Sequence, residues 1–324
     1  MAIFLGYFIW GADPGRAAGL AGVALRPAAL AAALERAAPA PRRTAAAATR
    51  RAGNTRQAPG RHGEPAMSAA TAAATIAVVS TTGGAGRSTL TAELASLLAW
   101  RKHDVLAVEC DPRNVLGFHF GLRDIPSDGL GSSLHDGAAK AWAGTGLRSD
   151  DGVLFVPWGD RAESGAIERL PANWLARRLD QVDLRDGGAV LLDTAPWPSG
   201  YASQAIDAAD LVLVLVPAQP ETCLTLKRLV DDLAARGKTV RYVATRLHPA
   251  RPLHVDIVAM LQAMLGTAML PYHVHEDSSV PEALARSESF SRSTPHSQTA
   301  HDLNGLASWL SAWIETRAGG GGTP

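Results

Sequence analysis

The stretch Thr81–Thr89 reads TTGGAGRST and decides the fold of this chain. It follows Thr75–Ser80, an apolar run that predicts a buried strand, and precedes Leu90–Trp100, whose Ala, Leu and Glu content predicts a helix. Three glycines let the backbone curl so that its N–H groups face an anion, and the helix N-terminus adds partial positive charge there. This order of elements predicts a phosphate-binding loop; the alternative is a glycine-rich turn without a ligand.

The residue types of this loop indicate a nucleotide and its magnesium ion. The common phosphate-loop pattern is G-x-x-x-x-G-K-[ST], and here Thr81 replaces the first glycine and Arg87 the lysine. Arginine keeps the positive charge but is planar and forked, so it is not equivalent to lysine at such a site. The Ser88 hydroxyl stands where it can coordinate Mg²⁺. The residues that we expect to bind the nucleotide in this loop are consecutive: Gly83, Gly84, Ala85, Gly86, Arg87, Ser88 and Thr89.

Two further apolar runs end in acidic residues. The run Asp104–Glu109 is followed closely by Asp111, and the run Gly188–Asp193 is followed by a Thr-Ala-Pro turn. Ligands of parallel α/β sheets bind at the carboxyl ends of the strands, so we expect these carboxylates near the phosphate loop. There Asp193 is expected to hold Mg²⁺ through water. For Glu109 and Asp111 an alternative stays open, in which the two acids cap the turn that follows them.

Strands and helices alternate along the rest of the chain. Further strands are predicted at Val153–Pro157, Leu211–Pro217, Thr239–Thr245 and Ala268–Tyr272. Helices are predicted at Leu130–Ala141, Pro171–Leu184, Glu221–Arg236, Leu253–Leu265 and, at the end, around Leu303–Ile314. The alternation predicts an α/β fold, a doubly wound and mostly parallel sheet with helices on both faces. The last helix either packs on this sheet or binds a membrane, for which it lacks a basic face.

Residues 1–66 differ in composition from the rest of the chain. They contain nine arginines, no lysine and three acids among many Ala, Pro and Gly residues, which gives a net charge of about +6. This composition predicts a disordered extension, either an over-extended reading frame upstream of Met67 or a basic tail that touches acidic lipid or nucleic acid. We therefore predict one domain at 67–317 and a flexible tail at 318–324.

Charge and cysteine content narrow the functional classes. The whole chain of 324 residues has no net formal charge, so residues 67–324 carry about −6, and no nucleic acid partner is expected. The two cysteines, Cys110 and Cys223, do not suggest a disulfide framework. The chain lacks a run of 18 apolar residues, which predicts a soluble, cytoplasmic domain. His273 and His275 alternate on an extended stretch, so they are not expected to share a metal ion.

These motifs resemble the ParA/MinD group of P-loop ATPases, also called SIMIBI. The first loop of that group reads K-G-G-x-G-[KR]-[ST]-T, which Thr82–Thr89 matches at all but the first position. The D-x-D-P motif of the group is similar to Glu109–Pro112, and its D-T-x-P turn to Asp193–Pro196. Within the group the chain is most similar to the BcsQ family of cellulose biosynthesis proteins, in Leu270–Asp277, Val280–Ala283 and Asn304–Trp313.

The resemblance implies a role for several residues. Members of the group bind ATP with Mg²⁺, and in this chain Asp111 would orient the attacking water, Ser88 and Asp193 would place the metal ion, and Arg246 would contact the base. The resemblance also implies a homodimer. Its partners would be other cellulose-synthase complex proteins at the inner membrane, and its role the assembly or localisation of that complex. The implied location is cytoplasmic, or peripheral at the inner membrane or the cell pole.

Two residues of the loop leave alternatives open. Thr82 replaces the lysine that reaches the partner's nucleotide in the ParA/MinD dimer, and Arg87 stands where the common phosphate loop has lysine. Both favour a scaffold that holds a nucleotide with little or no hydrolysis, as against a slow Mg²⁺-dependent ATPase. A ParA-like partition ATPase is the third alternative, and the acidic charge of residues 67–324 argues against it.

Overall fold

The computed structural model describes residues 73–134, 142–161, 165–184 and 187–319. The extension predicted at 1–66 lies outside these residues, and so do residues 320–324 of the predicted tail. The described part begins one residue before the first strand and ends one residue after the last helix.

Eight strands in the described part of the chain form one sheet. In chain order they are β1 Ala74–Val79, β2 Val105–Cys110, β3 Leu147–Arg148, β4 Leu154–Val156, β5 Ala189–Thr194, β6 Leu211–Pro217, β7 Val240–Leu247 and β8 Met269–His275. They lie side by side in the order β3-β4-β2-β5-β1-β6-β7-β8. All neighbours pair in parallel except β3 and β4, which are antiparallel. The predicted α/β fold with a mostly parallel sheet is confirmed.

Helices provide the crossovers that parallel neighbours require. Among the described residues the α-helices are α1 Arg87–Trp100, α2 Leu116–His119, α3 Trp174–Leu179, α4 Gly200–Ala208, α5 Pro220–Ala235, α6 Pro252–Leu265, α7 Ser279–Ala285, α8 Phe290–Ser293 and α9 Gln298–Ala318. Short 3-10 helices add the turns Gly131–Leu134, Trp142–Thr145, Ala166–Arg169 and Gly266–Ala268. Helix α9 continues through Ala318, one residue past the predicted end of the domain.

The sheet is covered by helices on both faces, as alternate residues of β1 show. Ala77 and Val79 belong to one buried apolar cluster, which includes side chains of α4, α5 and α6. Ile76 and Val78 point to the opposite face and belong to a second cluster, with side chains of α1 and α9. Every residue of β1, β5 and β6 is buried, which explains why these strands are continuous apolar runs in the sequence.

The segment between β2 and β5 differs most from its prediction. Instead of a helix beginning at Leu130, the structure has the 3-10 turn Gly131–Leu134, where the Ser133 hydroxyl donates to Leu130 O at 2.6 Å. Such a side-chain bond competes with helical backbone bonds. Residues 135–141 of that predicted helix lie outside the described residues. The sequence pattern does not predict β3, because two residues carry no periodicity.

The last helix packs on the sheet. Leu303, Leu306, Leu310 and Ile314 are buried, and Trp313 packs against the same cluster while partly exposed. Of the two alternatives predicted for this helix, the structure shows the packed one. Within the described ranges, no helix combines the length and the apolar character that crossing a bilayer requires.

Candidate functional site

The loop after β1 has the backbone geometry of an anion site. Gly84 and Gly86 have φ angles of 67° and 93°, in the left-handed region that glycine adopts without a clash at Cβ. Gly86 directly precedes α1, and its carbonyl accepts the first helical hydrogen bond from Leu90 N at 2.8 Å. The first N–H groups of α1 have no partner within the helix, so they are available to an anion beside this loop.

Arg87 begins α1, and its side chain is buried. Its Nε donates to Thr194 O at 2.7 Å, and its Nη1 donates to Thr82 O at 2.8 Å and to the Ser80 hydroxyl. Burial lowers the pKa of Arg87, and the neighbouring Asp193 raises it. The guanidinium of Arg87 therefore joins the loop after β1 to the end of β5.

Asp193 is fully buried in β5, and its surroundings fit a metal ion. Neither carboxylate oxygen accepts a hydrogen bond of normal geometry from a described residue. Burial raises the pKa of Asp193 to about 7, while the nearby Ser88 hydroxyl and the charge of Arg87 lower it. A buried carboxylate without partners is costly. Together with a hydroxyl it offers the oxygen ligands that Mg²⁺ prefers, with waters completing the shell. The residues present therefore fit Mg²⁺.

Asp111 follows β2, and both of its carboxylate oxygens are occupied by Arg113. Oδ1 accepts a hydrogen bond from Arg113 N at 3.0 Å, and Oδ2 accepts from Nε at 2.9 Å and from Nη2 at 2.5 Å. The Asp111 side chain is 3% exposed, whereas that of Arg113 is 52% exposed. Asp111 is thus within the site but paired, and Arg113 places a half-exposed cation there.

Glu109 does not reach the phosphate loop, which corrects that expectation. Its Oε1 accepts hydrogen bonds from Val115 N at 2.5 Å and Leu116 N at 2.8 Å, and its Oε2 accepts from Trp158 N at 3.3 Å. These donors lie at the start of α2 and after β4, so the capping alternative describes Glu109. Burial raises the pKa of Glu109 to about 8, with Asp193 across the strand pair contributing.

A cavity of about 630 Å³ opens beside the loop. Gly84–Gly86 and Thr89 form one wall, and the ends of β7 and β8 form another. Arg246 lies in this cavity with a φ of 54°, and its Nη2 is 3.0 Å from Glu276 Oε1. Its Nη1 also donates to Gly84 O at 3.4 Å, a long bond. Arg246 therefore lies next to the loop, and its contact with a base stays a prediction.

The model of the family described as cellulose biosynthesis protein BcsQ matches residues 73–310, which is most of the chain. The chain belongs to the BcsQ family. BcsQ of Salmonella typhimurium is 25% identical over 237 residues, which cover 70% of this chain and 90% of that protein. A protein described as a replication protein A of Rhizobium rhizogenes is 25% identical over 272 residues, and the match spans 71% of this chain but only 63% of that relative.

Solved structures show the same fold as this BcsQ-family chain. The septum site-determining protein MinD of Pyrococcus horikoshii, solved in complex with Mg-ADP, matches with a TM-score of 0.64. The two are 19% identical, and the match covers 76% of this chain and 98% of that one. The fold is thus that of the ParA/MinD-type P-loop ATPases.

The BcsQ-family fold gathers most of the predicted site residues at the carboxyl edge of its sheet. Ser88 and Arg87 begin α1 after β1, and Asp193 lies on the neighbouring strand β5. Asp111 follows β2, which pairs with β5, and Arg246 lies on the opposite side of the loop, in β7. Sequence reasoning missed Arg113, although a cation two residues after a site acid is a signal for such a pair.

Proposed function

We propose that this protein is an ATP- and Mg²⁺-binding accessory protein of bacterial cellulose synthesis and secretion. It would act as a nucleotide-switched dimer in assembly or localisation of the synthase complex. Membership of the BcsQ family supports the cellulose role, and the Mg-ADP bound to the related MinD fold supports the ligands. The observation that carries nucleotide binding is Asp193, a fully buried carboxylate near Ser88 and a glycine-rich loop, whose oxygens accept no hydrogen bond of normal geometry from a described residue.

Each site residue has a role in this proposal. The backbone of Gly83–Gly86, the start of α1 up to Thr89 and the guanidinium of Arg87 bind the phosphates. Ser88 coordinates Mg²⁺ directly, and Asp193 holds it through water. Once bound, Mg²⁺ would neutralise charge on the phosphate oxygens. Arg246, at the cavity beside the loop, contacts the base.

The guanidinium of Arg87 has a nitrogen left for phosphate. Its Nε and Nη1 donate to Thr194 O, Thr82 O and the Ser80 hydroxyl. A phosphate oxygen is a stronger acceptor for guanidinium than a neutral carbonyl, because the bond is charge-assisted. Nη2 has no acceptor among the described residues, so in this proposal it donates to phosphate while Nε and Nη1 keep their bonds.

Slow hydrolysis is supported by the geometry at Asp111. To orient an attacking water, one of its oxygens has to accept a hydrogen bond; Oδ2 already accepts two from the Arg113 side chain, which leaves one lone pair of Oδ1 beside the bond from Arg113 N. The same observation favours a second candidate, a scaffold that holds the nucleotide with little or no hydrolysis. In that case the presence of ATP, and not its turnover, would recruit partners.

The proposed partners are a second copy of the chain and other cellulose-synthase complex proteins at the inner membrane. The proposed location is cytoplasmic, or peripheral at the inner membrane or the cell pole. A ParA-like partition role is the weaker alternative, because residues 67–324 carry a net charge of about −6 and DNA binding needs neutralisation of phosphates.

Two measurements on the full chain test this function. Calorimetric titration with ATP, with and without Mg²⁺, tests binding; we expect Mg²⁺-dependent binding, and its absence would contradict the proposal. Phosphate release from wild type and Asp111→Ala separates the two candidates, because only an ATPase loses turnover on this change. Deletion of the gene should reduce cellulose output in the native host. The wild-type gene should restore that output, and a Ser88→Ala copy should not.

A further inference from the structure

His275 is the last residue of β8 and lines the cavity beside the loop. Its Nδ1 is 2.7 Å from Asp302 Oδ2, and the same oxygen accepts a hydrogen bond from the His275 backbone N at 3.0 Å. The Asp302 side chain is 9% exposed. A nearly buried carboxylate on α9 thus holds both the backbone and the ring of His275.

Other residues of α9 keep this pair in place. Gln298 Nε2 donates to the second oxygen of Asp302 at 2.8 Å, and the Thr299 hydroxyl donates to His275 O at 3.1 Å. Asp302 therefore has a partner at each oxygen and cannot rotate without losing one of them. The imidazole ring is oriented by the helix, as in sites where a carboxylate selects the tautomer of a histidine.

The pairing determines which ring nitrogen carries the proton. A carboxylate accepts hydrogen bonds, so Nδ1 of His275 is the protonated nitrogen, and in the neutral ring Nε2 keeps a free lone pair. Among the described residues, no hydrogen-bond donor lies on Nε2; the ring bonds only to Asp302. His275 therefore presents an acceptor whose position is determined by Asp302, and it does so at the wall of a cavity next to the loop.

The chemistry of the nucleotide base suggests which group this acceptor contacts. Adenine carries an amino group, a donor, at the carbon where guanine carries the acceptor O6. We infer that His275 Nε2 accepts a hydrogen bond from the exocyclic amino group of adenine and selects it over guanine. This inference rests on the proposed nucleotide site and assigns a residue for base selection there. Asp302 acts through His275 as a positioning residue.

Binding of three nucleotides to the full chain tests the inference. The probes are ATP, purine riboside triphosphate, which lacks the amino group, and GTP, each titrated calorimetrically with Mg²⁺. We expect wild type to prefer ATP over purine riboside triphosphate by about fivefold, the effect of one hydrogen bond. In His275→Ala this ratio should fall to about one, with purine riboside triphosphate bound as in wild type.

Further variants separate base reading from a structural role. His275→Gln keeps an acceptor and should retain part of the preference, and Asp302→Asn should weaken it, because an amide no longer selects the tautomer. His301→Ala removes an exposed histidine of α9 outside the cavity and serves as the matched control. Thermal melting of each variant shows whether it is folded.

The outcomes distinguish this inference from the proposed function. An unchanged ATP preference in a folded His275→Ala protein, or an equal loss for all three nucleotides, would overturn base reading and leave nucleotide binding intact. A wild-type chain that binds none of the three would overturn both. Loss of the preference in His275→Ala alone, with His301→Ala like wild type, would support the inference.

Discussion

Asp111 and Arg113 form an ion pair across two positions of the chain, with Arg113 Nη2 2.5 Å from Asp111 Oδ2. The pair places the proposed water-orienting carboxylate under a half-exposed guanidinium. Replacement of Arg113 therefore changes the availability of Asp111 without touching the loop after β1.

Arg113→Gln should raise ATP turnover about threefold to tenfold, because one oxygen of Asp111 becomes free to accept a hydrogen bond from water. Phosphate release at saturating Mg-ATP measures this. Arg161→Gln breaks an exposed ion pair with Asp128 away from the site and is the matched control. If the double variant Arg113→Gln, Asp111→Ala turns over as fast as Arg113→Gln, Asp111 is not the residue released.

Ser88→Ala should weaken ATP binding at least tenfold in the presence of Mg²⁺ and leave the fold intact, because the hydroxyl coordinates the metal ion and does not pack in the core. Calorimetry with Mg²⁺ and again with EDTA provides the comparison. In EDTA, wild type and Ser88→Ala should bind ATP with the same affinity. An equal affinity of both proteins for Mg-ATP would rule out this role for Ser88.

Thr82→Lys should strengthen the dependence of dimerisation on ATP. The Thr82 hydroxyl is buried without a hydrogen-bond partner among the described residues, so it contributes little that the substitution would remove. A lysine there could reach the partner's nucleotide and add a charge-assisted contact. Light scattering with and without ATP measures the effect. A monomer at every concentration, in both proteins and with either nucleotide state, would refute the dimer.

His119 should make the folded protein sensitive to mild acid. Burial in α2 lowers the pKa of His119 from 6.5 to about 4. The unfolded chain then binds the proton first, so stability is complete above about pH 6.5 and falls as the pH drops toward 4. The loss is about 1.4 kcal/mol per pH unit at most. Urea denaturation at several pH values between 4 and 7 gives the free energy of unfolding as a function of pH. That free energy should change less with pH in His119→Leu than in wild type, and as much as in wild type in the exposed control His301→Leu.

Removal of residues 1–66 should leave the melting temperature nearly unchanged. Their composition has no pattern that would bury a core, and the family match begins only at residue 73. Thermal melting of the full chain and of residues 67–324 decides the matter. Loss of the cooperative transition in the shorter protein would show that the extension belongs to the fold.

The parts of the site that were predictable are those determined by backbone order. A glycine-rich turn between a strand and a helix dictates where Ser88 lies, and an apolar strand on the neighbouring ladder brings Asp193 to the same edge. The continuous apolar runs of β1, β5 and β6 likewise dictated a sheet covered on both faces. Such signals are local in sequence, so a single chain is sufficient to read them.

The parts that were not predictable depend on side-chain direction. Glu109 and Asp111 stand two residues apart at the end of one strand, yet the first caps α2 and the second meets Arg113. The choice depends on which N–H groups happen to be unpaired nearby, here Val115 and Leu116, and this is set only in the folded chain. The orientation of the His275 ring likewise depends on its hydrogen bond to Asp302, 27 residues further along the chain.

The bond from Arg87 to Thr194 has a consequence for how the site binds a ligand. Arg87 Nε donates to Thr194 O at 2.7 Å, 107 residues away in sequence, and two further bonds run beside it, from Trp197 N to Ser80 O at 2.9 Å and from the Thr194 hydroxyl to Val78 O at 2.8 Å. The loop after β1 and the end of β5 are thus fastened to each other before any ligand binds. A ligand that needs both segments therefore meets a preorganised site, and less conformational entropy is lost on binding.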